Sequence, residues 1–508
     1  MGQLNKTINI ISRASTLAKI QAKMVGSAIS KKHPQISLNY ISTKTSGDVN
    51  QNLNISKSPT MGVFTSDISD QVTNKKDSIA VHSWKDFPIE ENKKTNIYGT
   101  LKRADMRDML FLKTELKNTK YIDELVIMTS SPRRRYALEN NLADLIPVSC
   151  GKIIFIDVRG NIDTRLNKFI KGKANGIVIA KAAVDRILEY EKSNDITNSP
   201  TQTCLKSSLW MVLPLSLFPS APAQGAIGIE VANNNSSLID LVHSINEKET
   251  FDNVANERKI MSKYGGGCSQ KIGLSIWKKN NVKIKSINGL TEDDEVLEGF
   301  TTISSRFSET GSSKTTNRTN AFPVCKSEKN IFSRKHLNRN TQISKIQDSV
   351  IYITRKTVLK NKPDFSRSCT LITSGIKTWR ESVKEGYWIN GTADSLGQSE
   401  LDHLGLITKG KDVIKLSFKQ NSGNKTDTID LYELKDPKFP SDFEKREEYF
   451  WMSSFAFSVA LERYPTIVKK RHASGMGNTY NKIKKLIGQD NEITPYLSYE
   501  HWLQSLRD

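Results

Sequence analysis

From about residue 6 to about residue 307, short apolar runs alternate with longer amphipathic stretches. INIIS leads into TLAKIQAKMVGSAISKK, SIAVHS into a turn, LVIMTS into RRRYALENNLADLI, and GIVIAKAA into VDRILEYEK. Compact β-branched runs followed by stretches of helical period predict α/β domains with largely parallel sheets. After about Asn233 the pattern changes. A helical ETFDNVANERKIMSKY meets a glycine run and then three alternating segments, IGLSIW, VKIKSINGL and GFTTISS, which predicts a small α+β domain. Residues 308–347 are rich in Ser, Thr, Asn, Arg and Lys with almost no apolar period, and read as a linker. Order returns at SVIYITRK (349–356). A C-terminal α/β unit then runs to Asp508, with strands expected at TLITS and YFWMSSFAF and a helix at TYNKIKKLIG.

Composition narrows the function classes. A chain of 508 residues is too long for one core. The formal charge of +21 points to anionic partners, although Lys and Arg are spread widely enough that much of it is solvated surface. Aromatics do not interleave with the basic clusters and no nucleic-acid recognition motif is present, so nucleic acid is set aside. Five cysteines (Cys150, Cys204, Cys268, Cys325 and Cys369) stand singly, without the pairing of a zinc site or a disulfide framework. MGQLNKTINI lacks a signal-peptide core, and Lys6 breaks the myristoylation pattern. The most apolar run, LWMVLPLSLFP (209–219), is too short to span a bilayer and contains Pro214. The expectation is a cytoplasmic, soluble protein with no membrane partner and no metal.

Candidate chemistry gathers where strands turn into helices, the usual ligand edge of an α/β sheet. In ISRASTLAKIQA, Arg13 and Ser15 stand between a strand and a helix, with Ser15 as N-cap. In TSSPRRR, Thr129, Ser130 and Ser131 precede Pro132, and Arg133 and Arg134 fall in the first turn. Free N–H groups, the positive end of the helix dipole and two guanidiniums make an anion site there. Arginine opposes that dipole, so helix stability alone does not select it. In DVRGNIDTRL, Arg159 ends a strand, Gly160 permits the turn, and Asn161 or Asp163 caps the helix that carries Arg165. In IAVHSWKDFP, His82 reads as a packed strand histidine, while Lys85 and Asp86 sit at the strand exit. Asp86 is a lone acid among converging cations. It suits the stabilisation of a cationic intermediate and proton exchange. In KYGGGCSQKIG, three glycines free the Cys268 thiol of neighbouring bulk.

Taken together, VHSWKDFP (81–88), TSSPRRR (129–135), VRGNIDTR (158–165), APAQGAIGIE (221–230) and GGGCSQ (265–270) resemble the porphobilinogen deaminase (hydroxymethylbilane synthase) family over residues 1 to about 307. The resemblance implies two domains built like type-2 periplasmic binding proteins, at 1–101 with 209–232 and at 102–208. A small α+β domain at 233–307 bears the cofactor cysteine. It further implies a dipyrromethane cofactor in thioether linkage to Cys268 and Asp86 as the catalytic carboxylate. Cofactor contacts would come from Lys85, Ser83, Thr129, Ser131, Arg133 and Arg134, and substrate contacts from Arg13, Ser15, Arg159, Arg165 and Phe64. The substrate would be porphobilinogen and the enzyme a monomer. Each pyrrole carries two carboxylates, so a growing chain needs many arginines. The sequence departs from the family at Met61, where a lysine is usual, and at Ser12 and Thr16 in place of Thr and Pro.

Beyond the linker, SVIYITRK, YFWMSSFAFSVALERYP and ASGMGNTYNKI in the unit at 348–508 resemble uroporphyrinogen-III synthase. That resemblance implies Ser453, Ser454, Gly477 and Thr479 near a substrate, and a fusion of two consecutive activities. The alternative is a non-catalytic anion-binding protein of the same fold with a degenerate C-terminal domain.

Overall fold

The computed structural model describes residues 7–43, 66–89, 92–265, 270–303, 317–325, 327–419, 427–488 and 491–506. The chain divides into two compact units: Met1–Ala143, Val148–Trp277 and Ile284–Phe300 form the first, and Asp144–Pro147, Lys278–Lys283 and Thr301–Asp508 the second.

In the first unit, β1 (Thr7–Arg13), β2 (Ser37–Thr43), β3 (Ser78–Ser83) and β4 (Thr95–Thr100) begin one sheet. A second sheet is built from β5 (Asp108–Lys113), β6 (Tyr121–Met128), β7 (Ser149–Ile156), β8 (Gly176–Ala180) and β9 (Ser208–Val212). Then β10 (Ile227–Ala232) returns to the first, giving the orders β2-β1-β3-β10-β4 and β7-β6-β8-β5-β9. Both sheets are mixed rather than largely parallel. β10 runs antiparallel to β3 and β4, and β5 antiparallel to β8 and β9, because the chain crosses between the sheets twice. The first sheet's core is aliphatic: Ile8, Ile10, Ile79, Val81 and Ile229 pack against Val25 and Ile29 of the helix Thr16–Lys32.

Two boundaries differ from the sequence reading. Leu209–Val212 pairs with Met109–Leu112 and so belongs to the second sheet, not to the first with 213–232. The helix Ser236–Ile245 buries Leu238, Leu241 and Val242 in the first sheet's core, so the third domain starts later than residue 233. Its elements are the helix Lys248–Ser262 and a three-stranded sheet of β11 (Gly273–Lys279), β12 (Val282–Leu290) and β13 (Val296–Ile303). The two crossings lie against each other. Ala104 N donates to Gly225 O at 3.1 Å, Arg103 Nε to Gln224 O at 2.9 Å, and Gln224 Nε2 to Met106 O at 2.8 Å. Gly225 sits at φ +87°, and a Cβ there would lie 2.5 Å from Ala104 O, so only glycine lets the crossings close this tightly.

The second unit also holds two sheets. β14 (Ala321–Phe322) and β15 (Ser333–His336) precede β16 (Val350–Ile353), β17 (Thr370–Thr373), β18 (Gly391–Thr392), β19 (Val413–Phe418) and β20 (Thr428–Lys435). β21 (Glu448–Trp451), β22 (Arg471–Gly475) and β23 (Ile493–Tyr496) complete the set. The orders are β15-β20-β19-β16-β17-β18 and β14-β21-β22-β23, so the chain leaves one sheet, builds the other, and returns. Within 308–347, read as linker, β14 and β15 are therefore structural. β14 has two residues and β15 reads SRKH at an edge, so neither carries an apolar period that sequence could register. YFWMSSFAF divides into β21, ending at Trp451, and the helix Ser454–Arg463. The division falls where the Ser453 hydroxyl accepts from Ala456 N at 3.1 Å and starts the helix.

Candidate active site

Each strand-to-helix corner has a local reason for its shape. Ser15 accepts from Ala18 N and caps the helix Thr16–Lys32 beside Arg13, the last residue of β1. Ser131 accepts from Arg134 N and caps the helix Pro132–Asn141, with Pro132 at its first position. Thr129 is buried, and its hydroxyl accepts from Ser131 N at 3.3 Å. Asn161 rather than Asp163 is the cap of the helix Ile162–Lys171, accepting from Thr164 N at 2.8 Å. At the end of β3, Ser83 exchanges hydrogen bonds with Gln21, after which a 3-10 turn, Trp84–Asp86, presents Lys85 half-buried and Asp86 exposed. Trp84 and Phe87 flank that pair and are buried. His82 is a packed strand residue, its Nε2 2.7 Å from Glu230 Oε2 and its ring 5.4 Å from that of Phe87.

The corners converge. Burial first, and then the neighbouring guanidiniums of Arg134, Arg13 and Arg159, hold Arg165 below the usual guanidinium range, with Asp86 opposing them. Lys85 is likewise lowered. Burial dominates, Asp86 and Asp108 pull the other way, and Arg134 and Arg133 add to the lowering. Those two neighbourhoods share Asp86 and Arg134, so they describe one site. Among the described residues it brings together the cations Arg13, Lys85, Arg133, Arg134, Arg159 and Arg165 and the carboxylates Asp86 and Asp108. Phe64 and Cys268 lie outside the described residues, as does Met61.

The arginines are not equivalent. Arg133 donates to Asp108 Oδ2 at 2.7 Å and to Pro219 O at 2.8 Å; Arg134 donates to Asp108 Oδ1 at 2.8 Å and to Val178 O at 3.1 Å. Gln224 Nε2 adds a third bond to Asp108 at 2.9 Å, and Lys85 Nζ donates to Gln224 Oε1 at 3.3 Å. Arg165 instead spends its Nε on Gly160 O at 2.7 Å and has no carboxylate partner among the described residues. Asp108 and Gln224 were missed in the sequence. Asp108 ends KRADMRD, where alternating charge is a weak signal, and the APAQG segment reads as a crossing rather than as a ligand shell.

A cluster this rich in cations suits an anionic occupant, and comparison with known proteins supplies one. The family model for porphobilinogen deaminase, dipyrromethane cofactor binding domain, matches residues 8–240. The chain is 33% identical over 267 residues to the porphobilinogen deaminase of Clostridioides difficile (strain 630), spanning 51% of this chain and 80% of that protein. The chain belongs to the porphobilinogen deaminase family. Other porphobilinogen deaminases agree. That of Clostridium novyi (strain NT) is 30% identical over 293 residues, covering 56% of this chain and 89% of the relative. A probable porphobilinogen deaminase of Picrophilus torridus is 33% identical over 267 residues, covering 53% and 84%. The matched domain is the one that binds dipyrromethane, and the residues present fit such a group. Arg133 Nε and Arg134 Nε are buried without a hydrogen-bond partner, and the clustered guanidiniums suit pyrrole acetate and propionate arms. Among the described residues no helix is long and apolar enough to cross a membrane.

Proposed function

We propose that the first unit condenses porphobilinogen into a linear tetrapyrrole with Asp86 as the reacting carboxylate and Cys268 as the covalent anchor. The observation that carries this reading is an exposed carboxylate, Asp86, within electrostatic reach of Lys85 and of Arg165, whose own neighbours are Arg134, Arg13 and Arg159, at the carboxyl ends of strands of two sheets. When bound, the dipyrromethane supplies a tethered primer whose free α-carbon is the nucleophile. Arg13, Arg159 and Arg165, with Ser15 and Phe64, would hold the carboxylate arms of the incoming pyrrole. Arg133, Arg134, Lys85, Ser83, Thr129 and Ser131 would hold those of the anchored pyrroles. Loss of ammonia from porphobilinogen leaves a delocalised cation, which the Asp86 carboxylate stabilises electrostatically. Carbon–carbon bond formation then leaves a proton to be removed, and Asp86, facing water, can accept it and pass it on. Asp86→Asn should keep the covalent cofactor, read as a mass excess of two linked pyrroles on Cys268, while slowing turnover by about 10²–10⁴-fold. Near-normal turnover would remove Asp86 from the chemistry, and an unmodified Cys268 would favour a non-catalytic anion binder.

For the second unit we infer a ligand cleft that acts on the first unit's product, as a uroporphyrinogen-III synthase would. Thr354 follows β16, Ser374 follows β17, Ser453 and Ser454 follow β21, and Gly477 follows β22, all at carboxyl ends of parallel strands. The approach of Gly397 to Gly477 supports it: a Cβ on Gly397 would lie 2.6 Å from Gly477 Cα, so loops from the two sheets of this unit meet backbone to backbone. Thr479 sits in the first turn of the following helix, Asn478–Leu486. The isomer formed from porphobilinogen decides the matter: uroporphyrinogen III supports the inference, and uroporphyrinogen I alone ends it.

A further inference from the structure

The helix Lys248–Ser262 leads in sequence to the glycine run before Cys268. One stripe of that helix carries Phe251, Val254 and Arg258, three to seven positions apart. Phe251 and Val254 pack with Trp84 and Phe87, the two residues that bracket Lys85 and Asp86, and the Trp84 and Phe251 rings are 5.2 Å apart. Arg258 completes the contact. Its Nη1 donates to Phe87 O at 3.0 Å and its Nη2 donates to Pro88 O. Among the described residues no carboxylate pairs with Arg258. Burial without such a partner lowers its pKa to about 10. A half-buried guanidinium bound only to neutral carbonyls is a costly choice for packing alone, since an aliphatic side chain would fill the stripe without desolvating a charge. What the fork does that an aliphatic cannot is fix two consecutive carbonyls directly after Asp86. The preceding residue anchors the helix itself: Glu257 accepts from Arg103 at 2.7 and 2.9 Å, from Ala223 N at 2.7 Å and from Ile276 N at 2.6 Å.

We propose that Arg258 is a positioning residue for Asp86, tying the segment that presents the carboxylate to the helix that leads to the anchoring cysteine. The carboxylate then keeps its place relative to that helix while the bound chain lengthens. The proposal rests on the reading of Asp86 as the reacting carboxylate. Because the fork touches only backbone next to Asp86, its loss should displace the carboxylate without removing any group that binds pyrrole arms.

The test is a kinetic cycle on cofactor-loaded enzyme, with loading read by intact mass. Arg258→Gln should lower kcat about 10–100-fold while KM stays within about threefold, since small displacements of a reacting group cost rate rather than binding. In an Asp86→Asn background the same substitution should cost less than about twofold, because the group it positions is already gone. Equal losses in both backgrounds, or a rise in KM that accounts for the whole effect, overturn the proposal. Arg258→Lys keeps the charge but not the fork, and should fall between Arg258→Gln and the parent; if Arg258→Gln does not fold, a full-rate Arg258→Lys overturns the proposal instead. A fast Asp86→Asn enzyme rejects the reading of Asp86, whereas a slow Asp86→Asn with a full-rate Arg258→Gln rejects Arg258 alone.

Discussion

The two units bury different things. The first buries ion pairs: Asp108 between Arg133 and Arg134, Glu257 against Arg103, and Asp105 between Arg107 and Lys181. The second buries rings. Phe322, Phe443, Tyr449, Trp451 and Phe457 cluster in the core beneath its β14-β21-β22-β23 sheet, with Tyr449 stacked on Trp451 at 5.7 Å and His472 enclosed among them. Aromatic packing stabilises a core on its own account, whereas buried ion pairs seldom improve on an apolar core of equal volume. The first unit therefore carries a polar interior that stability does not call for, and it carries it around the site and the crossings between its sheets. Its buried carboxylates are orientation devices. Asp108 spreads two guanidiniums into fixed directions, so in the role proposed for them they would meet pyrrole carboxylates without reorganising.

The largest effect should come from breaking one of those devices. Asp108→Asn leaves Arg133 and Arg134 buried without a counter-charge, which should cost the first unit about 3–5 kcal/mol. Hydrogen exchange on peptides from each unit should show the loss in the first unit and none in the second. A loss shared equally by both, or one below about 1 kcal/mol, would mean that solvent already compensates those guanidiniums.

Acid should reverse the order of vulnerability. Burial raises the pKa of Asp108, but Arg133 and Arg134 more than offset it and hold the carboxyl well below the usual range; Asp105 behaves alike beside Arg107 and Lys181. Depressed carboxylates contribute stability that is present above the ordinary carboxylate range and is lost only as pH falls beneath it. His472 is depressed too, to about 4, chiefly by burial. Trp451 Nε1 donates to its Nδ1 at 3.0 Å, so protonation there forfeits the bond as well. A depressed histidine also gives stability that is full above its unfolded value, 6.5, and is lost as pH falls toward 4. Over that window the second unit should lose roughly 3 kcal/mol while the first keeps its ion pairs. Unfolding followed from pH 7 to pH 4 should thus begin in the second unit, and His472→Phe should flatten that slope. A first unit that unfolds at the higher pH sinks the comparison.

What the sequence disclosed follows the same division. The corners were legible because each is local: Ser15, Ser131 and the Arg133–Arg134 pair declare a cap and a first turn within a few residues, and their convergence follows from sheet architecture. Asp108 and Gln224 were not legible, because their partners lie 25, 26 and 116 residues away, across the crossings. Arg258 was invisible for another reason, since it binds main-chain carbonyls that carry no residue identity. In the second unit, β14 and β15 were read as linker because their order comes from pairing with Glu448–Tyr449 and Tyr432–Lys435, not from any pattern of their own.

The smallest effect offers the cleanest contrast, because the same device occurs in both units. Ser131 caps Pro132–Asn141 by accepting from Arg134 N at 3.4 Å, and Ser453 caps Ser454–Arg463 by accepting from Ala456 N at 3.1 Å. As caps they are equivalent, so Ser131→Ala and Ser453→Ala should each destabilise their own unit by about 1 kcal/mol in urea unfolding. As functional groups they should part. Ser131 stands at the corner where Arg133 and Arg134 turn toward the site, so Ser131→Ala should slow tetrapyrrole formation beyond what its small stability loss explains. Ser453→Ala should leave that rate untouched, and under the synthase reading proposed for the second unit it should alter only the isomer produced. Equal tetrapyrrole rates in the two variants would reduce the Ser131 hydroxyl to a cap, and the anchored pyrroles would then be held by the guanidiniums and Lys85 without it.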